Sequence, residues 1–187
     1  MITAPKLRIE GYVIVSAEGC LADSNGVMPD VLKFKGDQQF FEGALDRAAL
    51  IVHGRNSFED QPNSPKRKRL WVTRHVAGLA PDPTNDNALL WNPAGASFEH
   101  ACQAIGIGDG AAAIIGGPSV FEMFLDRFDI FWLSQAPHVN LPGGQPCFPG
   151  VPERSPQQIL SDHGLIARET IELDAANEVS VTAWQRG

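Results

Sequence analysis

The stretch Ala112-Ala113-Ile114-Ile115-Gly116-Gly117-Pro118-Ser119-Val120 decides how the chain is read. Four consecutive apolar residues without a charge describe a short strand buried on both faces, of the kind a parallel sheet contains. Two glycines end it, and Pro118 stands where the first turn of a helix opens. The glycines let backbone N–H groups come close to a ligand, and the helix start offers partial positive charge to a phosphate or pyrophosphate. On pattern alone the same residues also make a plain, tight strand-to-helix connection.

Outward from this point the strand-then-helix alternation repeats. Residues 7–16 (LRIEGYVIVS), 49–53 (ALIVH), 70–73, 88–91, 111–115 and 129–133 read as strands. A helix is predicted over 37–47, with Phe40, Phe41, Ala44, Leu45 and Ala48 on one face at the 3.6-residue period. Further helices are predicted over 97–105 and after Gly117, the latter with Val120, Phe121, Phe124 and Leu125 inward. Residues 17–36, 81–87 (PDPTNDN) and 142–150 read as loops. The tail follows a different pattern. Residues 165–173 and 179–184 alternate apolar and polar side chains around a turn at 174–177, an antiparallel hairpin signature. The expected architecture is α/β in three layers, a mostly parallel central sheet closed by an antiparallel C-terminal hairpin.

Composition bounds the function. The chain has 187 residues, one domain's worth, with 43 % apolar and 20 % charged residues. Its 15 Lys+Arg against 22 Asp+Glu leave a net charge of -7, which argues against nucleic acid as a partner but leaves room for a small anion held by local arginines. Cys20, Cys102 and Cys147 form no CxxC pair and no Cys/His cluster, so neither a zinc site nor a disulfide framework is expected. With no apolar run of about 18 residues and no leader pattern in Met1–Lys6, the expectation is a soluble cytoplasmic protein with no membrane partner.

Two more strand ends carry donors. Val52-His53-Gly54-Arg55-Asn56-Ser57-Phe58 ends a strand in Gly and follows it with Arg55 and Ser57, and Trp71-Val72-Thr73-Arg74 ends one in a hydroxyl and a guanidinium. In a parallel sheet these ends share one edge with Gly116-Gly117, the edge where open α/β sheets bind ligands. An arginine beyond the pyrophosphate site is what a 2′-phosphate requires, which favours NADP over NAD. Asp37 opens its helix and is read equally as an N-cap or as a carboxylate that recognises the N–H groups of a heterocycle beside Phe41.

Three features are set aside. Gly106-Ile107-Gly108-Asp109-Gly110 precedes a strand instead of following one and reads as loop. Lys66-Arg67-Lys68-Arg69 reads as a solvated loop with at most a minor electrostatic role. The five histidines show no ligand spacing, no metal is expected, and His53 reads as a satisfied core residue.

Taken in order, these motifs make the chain resemble the dihydrofolate reductase superfamily, over roughly Leu7 to Arg186. Ser16-Ala17-Glu18-Gly19-Cys20-Leu21-Ala22 resembles the family's S-x-D-G-x-I-A segment, with Glu18 for the usual Asp. His53-Gly54-Arg55-Asn56-Ser57-Phe58-Glu59 is similar to G-R-x-T-[FWY]-E, with Ser57 for Thr. Val72-Thr73-Arg74 matches the next cofactor-contacting strand end, and Ile115-Gly116-Gly117-Pro118-Ser119-Val120-Phe121 resembles the G-G-x-x-[VIL]-[YF] loop. The resemblance implies an NADPH site lined by Gly54, Arg55, Ser57, Thr73, Arg74, Gly116, Gly117, Ser119 and Val120, with Ile14 and Leu21 bracketing the nicotinamide. It implies a substrate site of Asp37, Phe41, Leu21 and Asp30, in which Ser134 hydrogen-bonds Asp37.

Departures within the superfamily bear on the substrate. Met28-Pro29-Asp30 lacks the tryptophan of folate reductases, whereas Gly-Gly-Pro, Ala136-Pro137 and the 143–148 loop look more like the reductase domain of the riboflavin-pathway deaminase-reductase. Asp60-Gln61-Pro62 is similar to that domain's D-x-P, displaced by one residue, and no deaminase signature is present. The resemblance therefore implies an NADPH-dependent reductase of a pyrimidine- or pterin-like small molecule. The 5-amino-6-(5-phosphoribosylamino)uracil reductase type comes first and dihydrofolate reduction second; a cofactor-binding module without catalysis is the third reading. A homodimer is expected from the family and the hairpin edge.

Overall fold

The computed structural model describes residues 6–187; the reading of residues 1–5 lies outside them. The elements are β1 (Arg8–Val15), β2 (Cys20–Ala22), α1 (Lys35–Arg47), β3 (Leu50–His53), β4 (Arg69–Val72), β5 (Leu79–Pro81), β6 (Ala88–Trp91), α2 (Phe98–Ala104), β7 (Ala111–Ile114), α3 (Pro118–Phe124), β8 (Ile130–Gln135), β9 (Gln145–Pro146), α4 (Pro156–Asp162), β10 (Leu165–Asp174) and β11 (Val179–Arg186). Nine strands form one sheet in the order β10-β11-β8-β1-β7-β3-β4-β6-β5. The run from β8 to β6 is parallel, β5 closes one side antiparallel, and the β10–β11 hairpin joins β8 antiparallel on the other. This is the expected three-layer α/β arrangement.

Alternation along the strands divides two cores. Ile9 and Val15 of β1, with Phe131 and Leu133 of β8, face the layer of α2, α3 and α4, where Phe98, Phe121, Phe124 and Leu160 are buried. There Phe128 and Phe131 pack edge to face at 5.0 Å between ring centroids, and Phe148 lies 5.3 Å from Phe131. Each such fully buried ring contributes about 1.5–3 kcal/mol by burial. On the opposite face Tyr12, Ile51 and Ala113 pack against Ala44 and Leu45 of α1.

The sequence reading differs from the structure in several elements. Helix α1 begins at Lys35, two residues before the predicted start, with Phe34 as an N-cap that offers no side-chain bond. Asp37 is thus inside the first turn and buried, and the N-cap reading of it is corrected. The earlier start rests on Gly36, where an added Cβ would stand 2.0 Å from the carbonyl oxygen of Leu173, so the helix end presses directly on β10. Strands β2 and β9 lie in segments read as loop and pair with each other as a small second sheet. Strand β5, whose last residue Pro81 opens the PDPTNDN loop, and helix α4 are also additions. No helix of the described residues is long and apolar enough to cross a membrane.

Candidate active site

A cavity of about 490 Å³ opens between α1 and the even-numbered face of β1 and β8. Cross-strand register sets its floor: Tyr12 pairs with Trp132 and Ile14 with Ser134, all four on the side facing α1. Helix α1 supplies Asp37, Phe40 and Phe41, each one turn or less from the next. Their rings form an aromatic wall, with Phe40 5.3 Å from Trp132 and both phenylalanines 6.3 Å from Tyr12. Leu21 of β2 also lines the cavity.

Asp37 is a buried carboxylate of this cavity that, unlike buried Glu59, has no arginine partner among the described residues. Burial pushes its carboxyl above the ordinary aspartate range, while the Ser134 hydroxyl acts the other way by stabilising the ionised form. Two residues far apart along the chain are thereby brought into one polar spot inside an aromatic enclosure. Such a spot accepts N–H groups of a planar ring, which stacks on the surrounding faces.

The three donor-bearing strand ends meet as the sequence reading expects. Strands β7, β3 and β4 are neighbours, so Gly116-Gly117, Gly54-Arg55 and Thr73-Arg74 share the carboxyl edge of the sheet. The Gly54 N–H donates to the Gly116 carbonyl at 2.7 Å and stitches two of these ends together. Gly116 has φ +106°, and a Cβ there would stand 3.2 Å from the Phe121 ring and 3.3 Å from Ser57 Oγ, so only glycine fits. Ser57 also lines the cavity, and the glycine cradle and the cavity adjoin through it. Arg55 and Arg74 are exposed and form no ion pair among the described residues. A bare glycine surface, hydroxyls of Ser57 and Thr73 and two uncommitted guanidiniums fit the pyrophosphate and 2′-phosphate of NADPH.

Other expected residues are placed differently. Val120 is 2 % exposed and packs in the larger core, so its side chain presents no surface to a ligand. Ser119 is exposed at the first turn of α3. Asp30 heads a short 3-10 helix with its carboxylate in solvent, bonded to Lys33 at 2.9 Å, and does not line the cavity. Its assignment to the substrate site is corrected, because the 3-10 turn points it outward. Tyr12, Trp132, Met28 and Phe58 line the cavity although none was assigned to the site from the sequence. For the first two a signal existed, since each lies two residues from a named strand residue and so on the same face.

The basic run Lys66-Arg67-Lys68-Arg69 is also corrected. Lys66 and Lys68 are exposed, but Arg67 and Arg69 are buried. Arg67 reaches Glu59, Gln61 and Asp46, and Arg69 grips Glu59 and the Ser64 carbonyl. This network braces the segment that carries Ser57 and Phe58, and Arg69 lies under the Phe58 ring at 4.7 Å. His53 is fully buried; its Nδ1 bonds the Gly54 carbonyl at 2.8 Å, and burial lowers its pKa. Contrary to the expectation of a satisfied side chain, its Nε2 has no partner among the described residues.

No protein-family model matches the sequence, and no curated protein matches it either. Solved structures do. Dihydrofolate reductase from Enterococcus faecalis, in complex with NADP(H), aligns with a TM-score of 0.66 at 18 % identity over 96 % of each chain. A protein assigned to riboflavin biosynthesis from Shewanella sp. PV-4 aligns with a TM-score of 0.66 at 19 % identity, over 97 % of this chain and 99 % of that one. The diaminohydroxyphosphoribosylaminopyrimidine deaminase/5-amino-6-(5-phosphoribosylamino)uracil reductase from Thermotoga maritima also gives 0.66, at 13 % identity over 97 % of this chain and 57 % of that one. The fold is the dihydrofolate-reductase-like fold, shared with the riboflavin-biosynthesis protein and the deaminase/reductase.

Proposed function

We propose that the chain is a single-domain NADPH-dependent reductase that passes a hydride to a pyrimidine- or pterin-like ring. The observation that carries this reading is the junction at Ser57 between the glycine cradle and the aromatic cavity of Asp37. Gly54, Ser57, Thr73, Gly116, Gly117 and Ser119 would hold the pyrophosphate and ribose, Arg55 and Arg74 the 2′-phosphate, and Ile14 and Leu21 the nicotinamide, which supplies the hydride when bound. Asp37 anchors the ring through its N–H groups, Ser134 orients Asp37, and Phe41 packs on the ring face. The protein's contribution is orientation and a fixed electrostatic environment.

The aminouracil ring of riboflavin biosynthesis is the preferred acceptor on the sequence features named above, and dihydrofolate is the alternative. The outer strand β10, exposed along most of its length, offers an edge to a second copy of the chain. Three buried free thiols suit the reducing cytoplasm. The test is a thermal shift with NADPH followed by NADPH oxidation with each acceptor. A shift and turnover of either ring supports the reading; a shift without any turnover supports the cofactor-binding module, and no shift with NADPH refutes both.

A further inference from the structure

His53 puts a polar ring where an apolar side chain would pack at no loss. It ends β3 after Leu50, Ile51 and Val52 and is fully buried. The rings of Phe58 and Trp71 lie 5.7 and 5.8 Å from it, centroid to centroid. Its Nε2 has no partner among the described residues. A buried nitrogen left unbonded is destabilising, and leucine or phenylalanine would fill the position without that loss. The reason for a histidine here must lie in its other nitrogen.

Nδ1 lies 2.8 Å from the Gly54 carbonyl oxygen. A carbonyl only accepts, so Nδ1 carries the ring proton and Nε2 is bare. Burial lowers the pKa of the ring and keeps it in this neutral form at neutral pH. The bond fixes one peptide plane. Gly54 donates its N–H to the Gly116 carbonyl at 2.7 Å, and its own carbonyl also accepts from the Ser57 N–H at 3.3 Å. Across the planar trans peptide that follows, the Arg55 N–H points opposite to the Gly54 carbonyl. With the carbonyl turned in to the buried ring, that N–H is turned out to the carboxyl edge of the sheet. No acceptor among the described residues takes it. A Cβ on Gly54 would stand 3.6 Å from the Gly116 oxygen and the Gly117 nitrogen, so the N–H opens beside the glycine cradle.

From this we infer that His53 is a positioning residue of the cofactor site. By holding the Gly54 carbonyl inward it presents the Arg55 N–H to a phosphate oxygen of the dinucleotide. The inference rests on the reductase reading and adds to it a buried residue that touches no ligand. The ring acts in one tautomer only, with its proton on Nδ1.

Two substitutions separate positioning from packing. His53→Asn keeps an N–H donor near the place of Nδ1 but leaves part of the ring's space empty. His53→Leu fills that space better and donates nothing. NADPH affinity is read by fluorescence titration of the full chain, and the Arg55 amide proton by NMR. His53→Leu is expected to bind NADPH about tenfold more weakly, the scale of one hydrogen bond. His53→Asn is expected to stay within about threefold of the unaltered chain, although it packs worse. NADPH should move the Arg55 amide proton downfield in the unaltered chain and in His53→Asn, and not in His53→Leu. The reverse order of affinities, or equal affinities, overturns the inference, because packing would then be the whole role of the ring. So does a ring 15N spectrum with the proton on Nε2, a measurement that needs neither variant and decides even if His53→Leu does not fold. Failure of NADPH to bind the unaltered chain refutes the reductase reading itself, and is seen before any variant is made.

Discussion

Arg69 grips Glu59 through two hydrogen bonds of 2.8 and 2.6 Å, with both side chains sealed inside the protein. Burial by itself would raise the Glu59 carboxyl; Arg69 and Arg67 outweigh it and hold the group below the usual glutamate range. Arg69→Met is expected to cost about 3–5 kcal/mol, because it leaves buried Glu59 with only the longer contact of 3.2 Å to Arg67. The double variant Glu59→Leu/Arg69→Met should recover much of that loss. Urea unfolding of the three proteins measures the difference. Because the folded pKa of Glu59 is depressed, its contribution is present above the unfolded value of 4.5 and is lost as pH falls through the folded one.

Asp37 contributes in the opposite sense. Its folded pKa is raised by burial, so the native state holds the proton more tightly than the unfolded chain does. Stability therefore falls as pH rises above the unfolded value of 3.8, and the penalty is complete once pH exceeds the folded pKa. Asp37→Asn is expected to raise the melting temperature at pH 7, with the gain shrinking as pH approaches 4. Melting curves across that range check it; a loss of stability at pH 7 would assign the carboxylate a supporting role in the helix instead.

The same substitution should separate binding of the two ligands. Asp37→Asn is expected to leave NADPH affinity nearly unchanged and to lower kcat/KM for the ring about 10–100-fold, the cost of one charge-assisted hydrogen bond. Ser134→Ala removes the hydroxyl that favours ionised Asp37, so the acid limb of its activity profile should move to higher pH. Steady-state kinetics over pH distinguish this from general damage, which lowers the profile without displacing it.

Gly116→Ala places a Cβ against Phe121 and Ser57 at a φ of +106°. It is expected to cost about 1–3 kcal/mol of stability and to abolish the thermal shift with NADPH. Arg74→Gln, at an exposed and unpaired guanidinium, should leave melting unchanged and weaken NADPH about tenfold relative to NADH. Fluorescence titration with the two nucleotides measures that ratio.

The parallel core was legible because its strands are short, apolar and punctuated by Gly, and because the amphipathic face of α1 repeats over three turns. What escaped was held by contacts distant in sequence. Strands β2 and β9 have three and two residues, too few for any period, and exist only because residue 20 pairs with residue 146. Helix α4 did leave a mark, the capping box of Ser155 and Gln158 with Pro156 at its first turn. In the site, Asp37 and Phe41 showed as a spacing on one helix, and Ser134 came through a family resemblance. That Met28 and Phe58 share one cavity did not show, since they lie thirty residues apart in segments with no periodic pattern.

The burial of Arg67 and Arg69 has an effect on the molecule as a whole. Half of the densest cationic run in the chain is withdrawn from the solvent, together with only one carboxylate, Glu59, of the pair it engages. Elsewhere Glu10, Asp37 and Asp82 are buried as well, so with Glu59 four carboxylates leave the surface against these two guanidiniums, and the exterior stays anionic but less so than a net charge of -7 conveys. Like charges repel at a distance, so this surface disfavours non-specific contact between copies and with other anions, most of all at low salt. Against that background Arg55 and Arg74, exposed at the ends of neighbouring strands, would draw the dinucleotide of the proposed function toward the carboxyl edge of the sheet before any contact is made.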